Sequence, residues 1–253
     1  MYYKILDQSF LHRGYQFVLG ENTYTGKWLG SEEKGGGFYI CEQKHIGYWL
    51  KLHHNPIVCE VVVYEDSEIY PIKHATKVTH ISLQNPLPIR EFLQKYPNIV
   101  YKIIKQDGMN LEYVENKTLP ICKLAVRQNG RALQFISRPC YLLCLEAVKQ
   151  NGRAIQYVPQ QSYILNSVAV KQNGLSLKYI KNKLPEICCM AVYQNGQALK
   201  FIPKQTPFLC RMAVIQNGLA FQHVKEKTEE LYTLAIAQNP DIQEKNLFKV
   251  AQI

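Results

Sequence analysis

Long apolar runs are missing. No stretch approaches the roughly 18 to 20 consecutive apolar residues that a membrane span needs, and Met1-Tyr2-Tyr3-Lys4 lacks the apolar core of a signal peptide. The expectation is a soluble, unexported chain without a membrane span. Cysteine is scarce: eight in 253 residues do not make a disulfide-dense scaffold. A reducing, intracellular compartment fits that usage best. Acidic charge is scarce in one half only. Residues 1–90 carry nine Lys+Arg and nine Asp+Glu, which leaves 21 of the 30 basic and 11 of the 20 acidic side chains in residues 91–253. The whole net charge of +10 therefore lies in the second part of the chain. Such asymmetry points to an anionic partner, whether nucleic acid, a membrane surface or an acidic protein, or to solubility alone.

That second part is a repeat. Val126-Arg127-Gln128-Asn129-Gly130 returns as Val148 to Gly152, Val170 to Gly174, Val192 to Gly196 and Val214 to Gly218, then in decayed form as Ile236-Ala237-Gln238-Asn239-Pro240. The interval is 22 residues, and one step back from Gly130 finds Gly108, so the array holds about seven units. A fixed period of this size marks stacked supersecondary units, none of which could bury its apolar face alone. Thr118, Ser162, Thr206 and Thr228 stand where a helix N-cap is needed, and Pro97, Pro185 and Pro207 stand next, in the first turn. Apolar residues follow at i, i+4 and i+5, as in Ile121, Ala125 and Val126, which is a core stripe. The glycine after Asn is expected to stop the helix in the left-handed conformation.

Beyond each glycine come phrases such as Ala132-Leu133-Gln134-Phe135-Ile136. Alanine favours a second short helix there, although Leu and Phe flanking a polar residue would also suit a strand. The expected architecture is an α+β N-terminal domain over residues 1–85, a linker with a short leading helix over 86–96, and an α-solenoid of short helix pairs over 97–253. The prolines of Gln84-Asn85-Pro86-Leu87-Pro88 mark the boundary.

Within the array, Cys122, Cys144, Cys188 and Cys210 recur on the apolar face and read as buried, reduced side chains. The Gln-Asn pair suits backbone capping and an amide ladder between units better than base reading. Positions that vary between units are the better recognition candidates. Lys105, Arg127, Lys149 and Lys171 precede the Gln in the early units, Tyr193, Ile215 and Ala237 in the later ones, and Arg131 and Arg153 follow two of the glycines. Those six cations are the candidate residues for an anionic partner, because a basic strip can track phosphates. Tyr113, Phe135, Tyr157, Tyr179 and Phe201 recur beside them and read as core aromatics rather than a base-stacking platform.

In the first hundred residues, Tyr2 to Leu6, Tyr15 to Leu19, Phe38 to Cys41, Ile57 to Tyr64 and Val78 to Leu83 read as strands. A helix is expected over Glu42 to His53, where Ile46, Trp49, Leu50 and His53 share one face. Lys34-Gly35-Gly36-Gly37 precedes a strand instead of a helix N-terminus, so it reads as a flexible turn and not a phosphate cradle. His12, His45, His53, His54, His74 and His80, with Cys41 and Cys59, show no C-x2-C or H-x3-H spacing, so no metal site is assigned. Glu60, Glu65, Asp66 and Glu68 beside Tyr64 and Tyr70 have the composition of a general-base cluster and equally of a solvated turn. No catalytic, cofactor or metal residue is assigned.

His12-Arg13-Gly14-Tyr15-Gln16-Phe17, with Gly20, Tyr24 and Gly36-Gly37-Phe38-Tyr39-Ile40-Cys41, resembles the N-terminal domain that large DNA viruses of amoebae place before ankyrin and other repeat arrays. Related phage and bacterial domains carry a Gly-Phe-His-Ala-Cys-like phrase there, and Tyr39 stands in place of its histidine. Ala147 to Val158 is similar to the Ala-Val-Lys-Gln-Asn-Gly-x-Ala-Leu-x-Tyr-Val repeats of uncharacterised giant-virus proteins and of effectors from amoeba-associated bacteria. The resemblance implies a non-enzymatic binding scaffold deployed in a host cell, in its cytoplasm or a virus factory, with a host or viral protein as partner. Nucleic acid is the alternative partner, and an enzyme domain targeted by the repeats the third reading.

Overall fold

The structure, a computed structural model, describes residues 1–26 and 36–240. They divide into two compact units, Met1–Gln128 and Asn129–Ile253. The boundary between these units falls between Gln128 and Asn129, inside the repeat array. Among the described residues no helix is long and apolar enough to cross a membrane.

The first unit is built on a seven-stranded sheet in the order β4-β9-β6-β1-β5-β8-β7, with every pair antiparallel. Its strands are β1 (Tyr2–Leu6), β4 (Gly20–Thr23), β5 (Phe38–Glu42), β6 (Ile57–Val63), β7 (Ile69–Ile72), β8 (Ala75–Val78) and β9 (His80–Pro88). β1 lies in the middle, and all but its first residue are buried. Leu6, Phe17, Phe38, Ile40, Cys59, Val61, Val78, Ile81 and Leu83 form the core. A separate hairpin joins β2 (Leu11–His12) to β3 (Tyr15–Gln16).

The strand expected over Val78 to Leu83 is split at Thr79, with Val78 ending β8 and His80 beginning β9, and three further expectations for this unit need correction. The single strand expected over Tyr15 to Leu19 is broken after Gln16. The Asn22 amide accepts from the Val18 N–H at 2.9 Å and donates to the Val18 carbonyl at 2.8 Å, which satisfies in a loop the groups a strand would have paired. The expected helix over Glu42 to His53 is three short pieces: a 3-10 turn, α1 (Ile46–Trp49) and a second 3-10 turn. Ile46 and Leu50 are nonetheless fully buried, as their shared face requires. The expected break at Pro86 and Pro88 is a continuous strand. β4 pairs with β9 only as far as Leu83, so among the described residues β9 is an edge on that side beyond it, where a proline without an N–H is tolerated.

After β9 come α2 (Ile89–Lys95), α3 (Val100–Gln106) and α4 (Leu119–Gln128), so the first repeats fold with the sheet. Contact is close: a Cβ added to Gly47 in α1 would lie 2.9 Å from the Ile103 Cα. The buried Asn110 amide donates to the carbonyls of Gly47 at 3.1 Å and Ile103 at 2.9 Å. That packing joins α3 and the turn after it to α1.

The second unit repeats one pattern. Ten-residue helices α5 (Tyr141–Gln150), α6 (Tyr163–Gln172), α7 (Pro185–Gln194), α8 (Pro207–Gln216) and α9 (Glu229–Gln238) alternate with six-residue 3-10 helices that begin at Gly130, Gly152, Gly174, Gly196 and Gly218. Successive α-helices pack on one another, as do successive 3-10 helices. Ser162, Thr206 and Thr228 cap their helices as expected, each accepting from the N–H three residues on at 3.3 Å. Leu165, Ala169 and Val170 on α6, and the matching residues on α5, α7 and α8, are buried.

The glycine does not do what was expected of it. The glycines with positive φ among the described residues are Gly14, Gly20, Gly36 and Gly37, all in the first unit. Each helix instead stops at Asn in an extended conformation, with φ between −147° and −156° at Asn151, Asn173, Asn195 and Asn217. The Asn side chain accepts from the N–H two residues on and so caps the following 3-10 helix, at 3.0 Å in four of these units. Glycine is needed because the next repeat lies against it. A Cβ on Gly152 would be 2.4 Å from the Ala169 carbonyl oxygen and 2.9 Å from Gln172 Oε1; Gly130, Gly174 and Gly196 repeat the arrangement.

Candidate interaction surface

The Gln of each phrase ties neighbouring repeats together. Gln150, Gln172, Gln194 and Gln216 accept through Oε1 from the N–H groups of Gly130, Gly152, Gly174 and Gly196, at 2.6 to 2.7 Å. Gln172 and Gln216 donate through Nε2 to the backbone carbonyls of Gln150 and Gln194 at 3.5 and 3.4 Å. In the first unit, Gln128 makes both contacts, to the Gly108 N–H and the Gln106 carbonyl. These amides are engaged in joining repeats, so they are poor candidates for reading a ligand.

The residue just before each Gln faces water. Lys149 and Lys171 are exposed, as are Tyr193 and Ile215, at 80% and 48%. Arg131 and Arg153 are also exposed. Lys149 and Lys171 sit in the last turns of α5 and α6, where a cation complements the helix dipole. Lys105 and Arg127 occupy the same place on α3 and α4 of the first unit and are exposed there. The recurrent aromatics do not form the expected core: Tyr113, Phe135, Tyr157, Tyr179 and Phe201 are half-buried. Lys178 and Lys200 lie over the rings of Tyr179 and Phe201 at 5.6 and 5.0 Å, covering faces that a base would need.

The N-terminal candidates separate into unrelated places. Among the described residues, no three His, Cys, Asp or Glu side chains are arranged to hold a metal ion. His12 packs on His53, and His74 on Tyr48 and His45. The thiols of Cys41 and Cys59 are pushed up by burial to about 12 and about 11, so both stay protonated at neutral pH. Lys34 and Gly35 lie outside the described residues. Of the carboxylates, Glu60 accepts from Asn85 Nδ2 at 2.6 Å, and Asp66 engages His80 Nδ1 at 2.7 Å while Glu21 engages Nε2 at 2.9 Å. The hydrogen bond to Asp66 raises the His80 pKa, and the bond to Glu21 adds to it. A histidine of this kind stabilises the fold fully below the unfolded-state pKa, and the contribution is lost as pH rises through the folded one. Asp66→Asn is expected to lower the His80 pKa, which titration of its ring protons by NMR would read; an unchanged midpoint would remove Asp66 as the cause.

Two stretches of the chain, residues 96–139 and 168–206, match the model of a family described as a domain of unknown function, DUF4116. Each DUF4116 stretch is about two 22-residue repeats long. The chain is thus a helical repeat protein by its sequence pattern, its structure and this match together. No curated protein and no solved structure matched it.

Sequence reasoning missed one feature of the repeat surface. The first two helical positions of α5 and α6 are exposed and apolar, Tyr141 and Leu142, then Tyr163 and Ile164; α7 has Pro185 and Glu186 there, and Phe208 is exposed at the second position of α8. The signal was present in the alignment of units, because these positions directly follow the N-cap and cannot reach the stripe at i, i+4 and i+5. A second apolar feature is a groove of about 540 Å³ lined by Lys171, Cys189, Met190, Tyr193, Gln194 and Met212. Scattered apolar residues are ordinary on a surface, whereas contiguous ones rimmed by charge mark interaction sites.

Proposed function

We propose that this chain is a non-enzymatic interaction scaffold, in which the repeats build an α-solenoid whose variable positions receive a protein partner. The partner surface is acidic with apolar anchors, a host or viral protein in keeping with the giant-virus resemblance, met in a reducing cytoplasm or a virus factory. One observation carries the reading. Positions that repeat, the Gln, Asn, Gly and apolar stripe, are spent on joining units, while positions that vary, Lys149, Lys171, Tyr193 and Ile215, are exposed in a regular succession. Stacked helices about 8 to 10 Å apart put such positions at the spacing of a few residues of an extended partner. Aromatic anchors supply affinity at interfaces, and surrounding cations supply orientation and rate.

The test uses a labelled glutamate-rich peptide containing Leu and Phe anchors, with binding followed by anisotropy. Wild-type chain is expected to bind, and both Tyr193→Ala and the combined Lys149→Glu, Arg153→Glu, Lys171→Glu change are expected to weaken binding about tenfold or more. Affinity unchanged by both would remove this surface from the account.

Nucleic acid is a second reading, supported by the exposure of all six cations, Lys105, Arg127, Arg131, Lys149, Arg153 and Lys171. It requires single-stranded or duplex nucleic acid to bind with a steep fall in affinity as salt rises, and Arg127→Glu with Lys149→Glu and Lys171→Glu to abolish that binding. Strong, salt-sensitive binding lost in that variant would replace the protein partner by a nucleic acid.

A further inference from the structure

We infer that the N-terminal unit holds a site for a small free oxyanion of the phosphate or sulfate class, bound by Lys4, His12 and Arg13 beneath the β2–β3 hairpin. This site is separate from the repeat surface and does not depend on the function proposed for it.

Lys4 stands on the central strand β1 and is 2% exposed. Its Nζ donates to the Tyr39 carbonyl at 3.0 Å and lies 4.7 Å from the centre of the Phe17 ring. Two adjoining cavities meet at this side chain, and no carboxylate lines either among the described residues. A buried ammonium is normally accompanied by a counter-charge, because its desolvation is otherwise uncompensated. Among the described residues, the other titratable groups lining these cavities are His12, Arg13 and His53, with tyrosines and the buried Cys41 thiol, while Asp7 acts on His12 and His53 from outside the lining.

Arg13 comes from the hairpin, where it holds a left-handed backbone, φ 52°, as the first residue of a two-residue turn completed by Gly14 at φ 80°. Turns of this kind favour Asn, Asp or Gly at that position. An arginine there strains the backbone, and strain of this sort collects where a side chain is needed in one place. Its guanidinium is 4.7 Å from the Tyr39 ring centre. His12, one residue earlier, has a buried Nε2 with no hydrogen-bond partner. Burial first, then the charges of Lys4, His53 and Arg13, push its pKa down to about 4 against the opposing charge of Asp7, so the ring is neutral and can offer an N–H. Thus an orphaned donor, a buried ammonium and a strained arginine line one cavity of about 100 Å³. That is roughly three waters' share of liquid volume, enough for a tetrahedral oxyanion and too little for a nucleotide.

Burial lowers the Lys4 pKa to about 7. The groups around it are Arg13 and His12 on the hairpin, Tyr39 and Cys41 on β5, Cys59 on β6, and His53. Both thiols stay neutral across the range of interest, so Lys4 sets the pH dependence of anion binding.

The experiment is calorimetric titration of the full chain with sulfate, in chloride of matched ionic strength, repeated with inorganic phosphate and with adenosine monophosphate. Sulfate and phosphate are expected to bind and the nucleotide not to. Sulfate affinity should fall about tenfold between roughly pH 6 and 8 as Lys4 loses its proton. Lys4→Met should abolish binding. Arg13→Asn, which suits the turn better, should fold at least as stably as wild type yet bind at least about tenfold more weakly. Absence of sulfate binding in the wild type would overturn the proposal, as would undiminished binding in folded Arg13→Asn. Nucleotide binding as tight as that of phosphate would also overturn it, because the ligand would then not be small.

Discussion

Gly152→Ala is expected to destabilise the second unit by about 3 kcal/mol, read as a shift of its denaturant midpoint. Replacing glycine by alanine usually stabilises by about 0.4 to 1 kcal/mol through the unfolded chain, where the native φ and ψ allow it. The gain is outweighed here. The new methyl group would stand 2.4 Å from the Ala169 carbonyl oxygen, 2.9 Å from Gln172 Oε1 and 2.9 Å from Ser176 Oγ. A side-chain oxygen can turn aside, but the carbonyl belongs to α6 and moves only with its helix. Opening the two repeats far enough to admit the methyl group would also lengthen the 2.7 Å bond from the Gly152 N–H to Gln172, leaving a part-buried donor poorly paired. Gln172→Ala alone should cost less, about 1 to 2 kcal/mol, since it removes the acceptor without forcing the helices apart. A neutral or stabilising Gly152→Ala would mean that the close approach of the repeats is not what demands glycine.

Lys4→Met is expected to raise the stability of the first unit at pH 7 by roughly 4 kcal/mol. Desolvation brings the folded-state pKa from 10.5 down to about 7, with the Arg13 charge adding to it and the two thiols opposing. Between those values the unfolded chain holds a proton that the folded chain has released. Stability of the wild type therefore rises with pH from about 7 upward, by about 1.4 kcal/mol per unit. Cys41 and Cys59 act in the opposite sense. Their thiols are raised in the fold, so they favour the unfolded chain once pH passes the ordinary thiol range near 9. The rise should thus be clearest between about pH 7 and 9, and Lys4→Met should flatten it. A wild-type stability that stays level or falls across that window would contradict a desolvated Lys4.

Much of the repeat was legible because each unit states the same instruction several times. N-cap, apolar stripe and terminal phrase recur at 22 residues, and the structure places Ser162, Leu165, Ala169 and Val170 where those signals put them. The glycine was misread because Asn-Gly at a helix end has two physical meanings. A left-handed terminator and a site of close approach leave the same trace in one unit, and only the carbonyl of the following unit, 17 residues on, separates them. The second element lay between helix and strand because Ala, Leu and Phe serve either; the Asn cap before it tips the backbone into 3-10 turns. In the first unit the prolines of β9 misled because an edge is a property of the sheet and not of the strand. The Lys4 cavity was out of reach for the same reason. Residues 4, 12, 13, 39 and 53 are brought together only by the pairing of β1 with β5 and the fold of the hairpin, although the His12-Arg13-Gly14-Tyr15 phrase had already stood out.

The central claim is that the recurring phrase exists to clamp repeat to repeat and so frees the variable positions for a partner. Amide hydrogen exchange at Gly130, Gly152, Gly174 and Gly196 tests it most directly. Each of these N–H groups begins a 3-10 helix, where no bond within that helix protects it. The account predicts slow exchange at all four, at rates close to those of the buried helix amides of the second unit, and fast exchange at Gly152 in Gln172→Ala. Fast exchange at these glycines in the wild-type chain would contradict it.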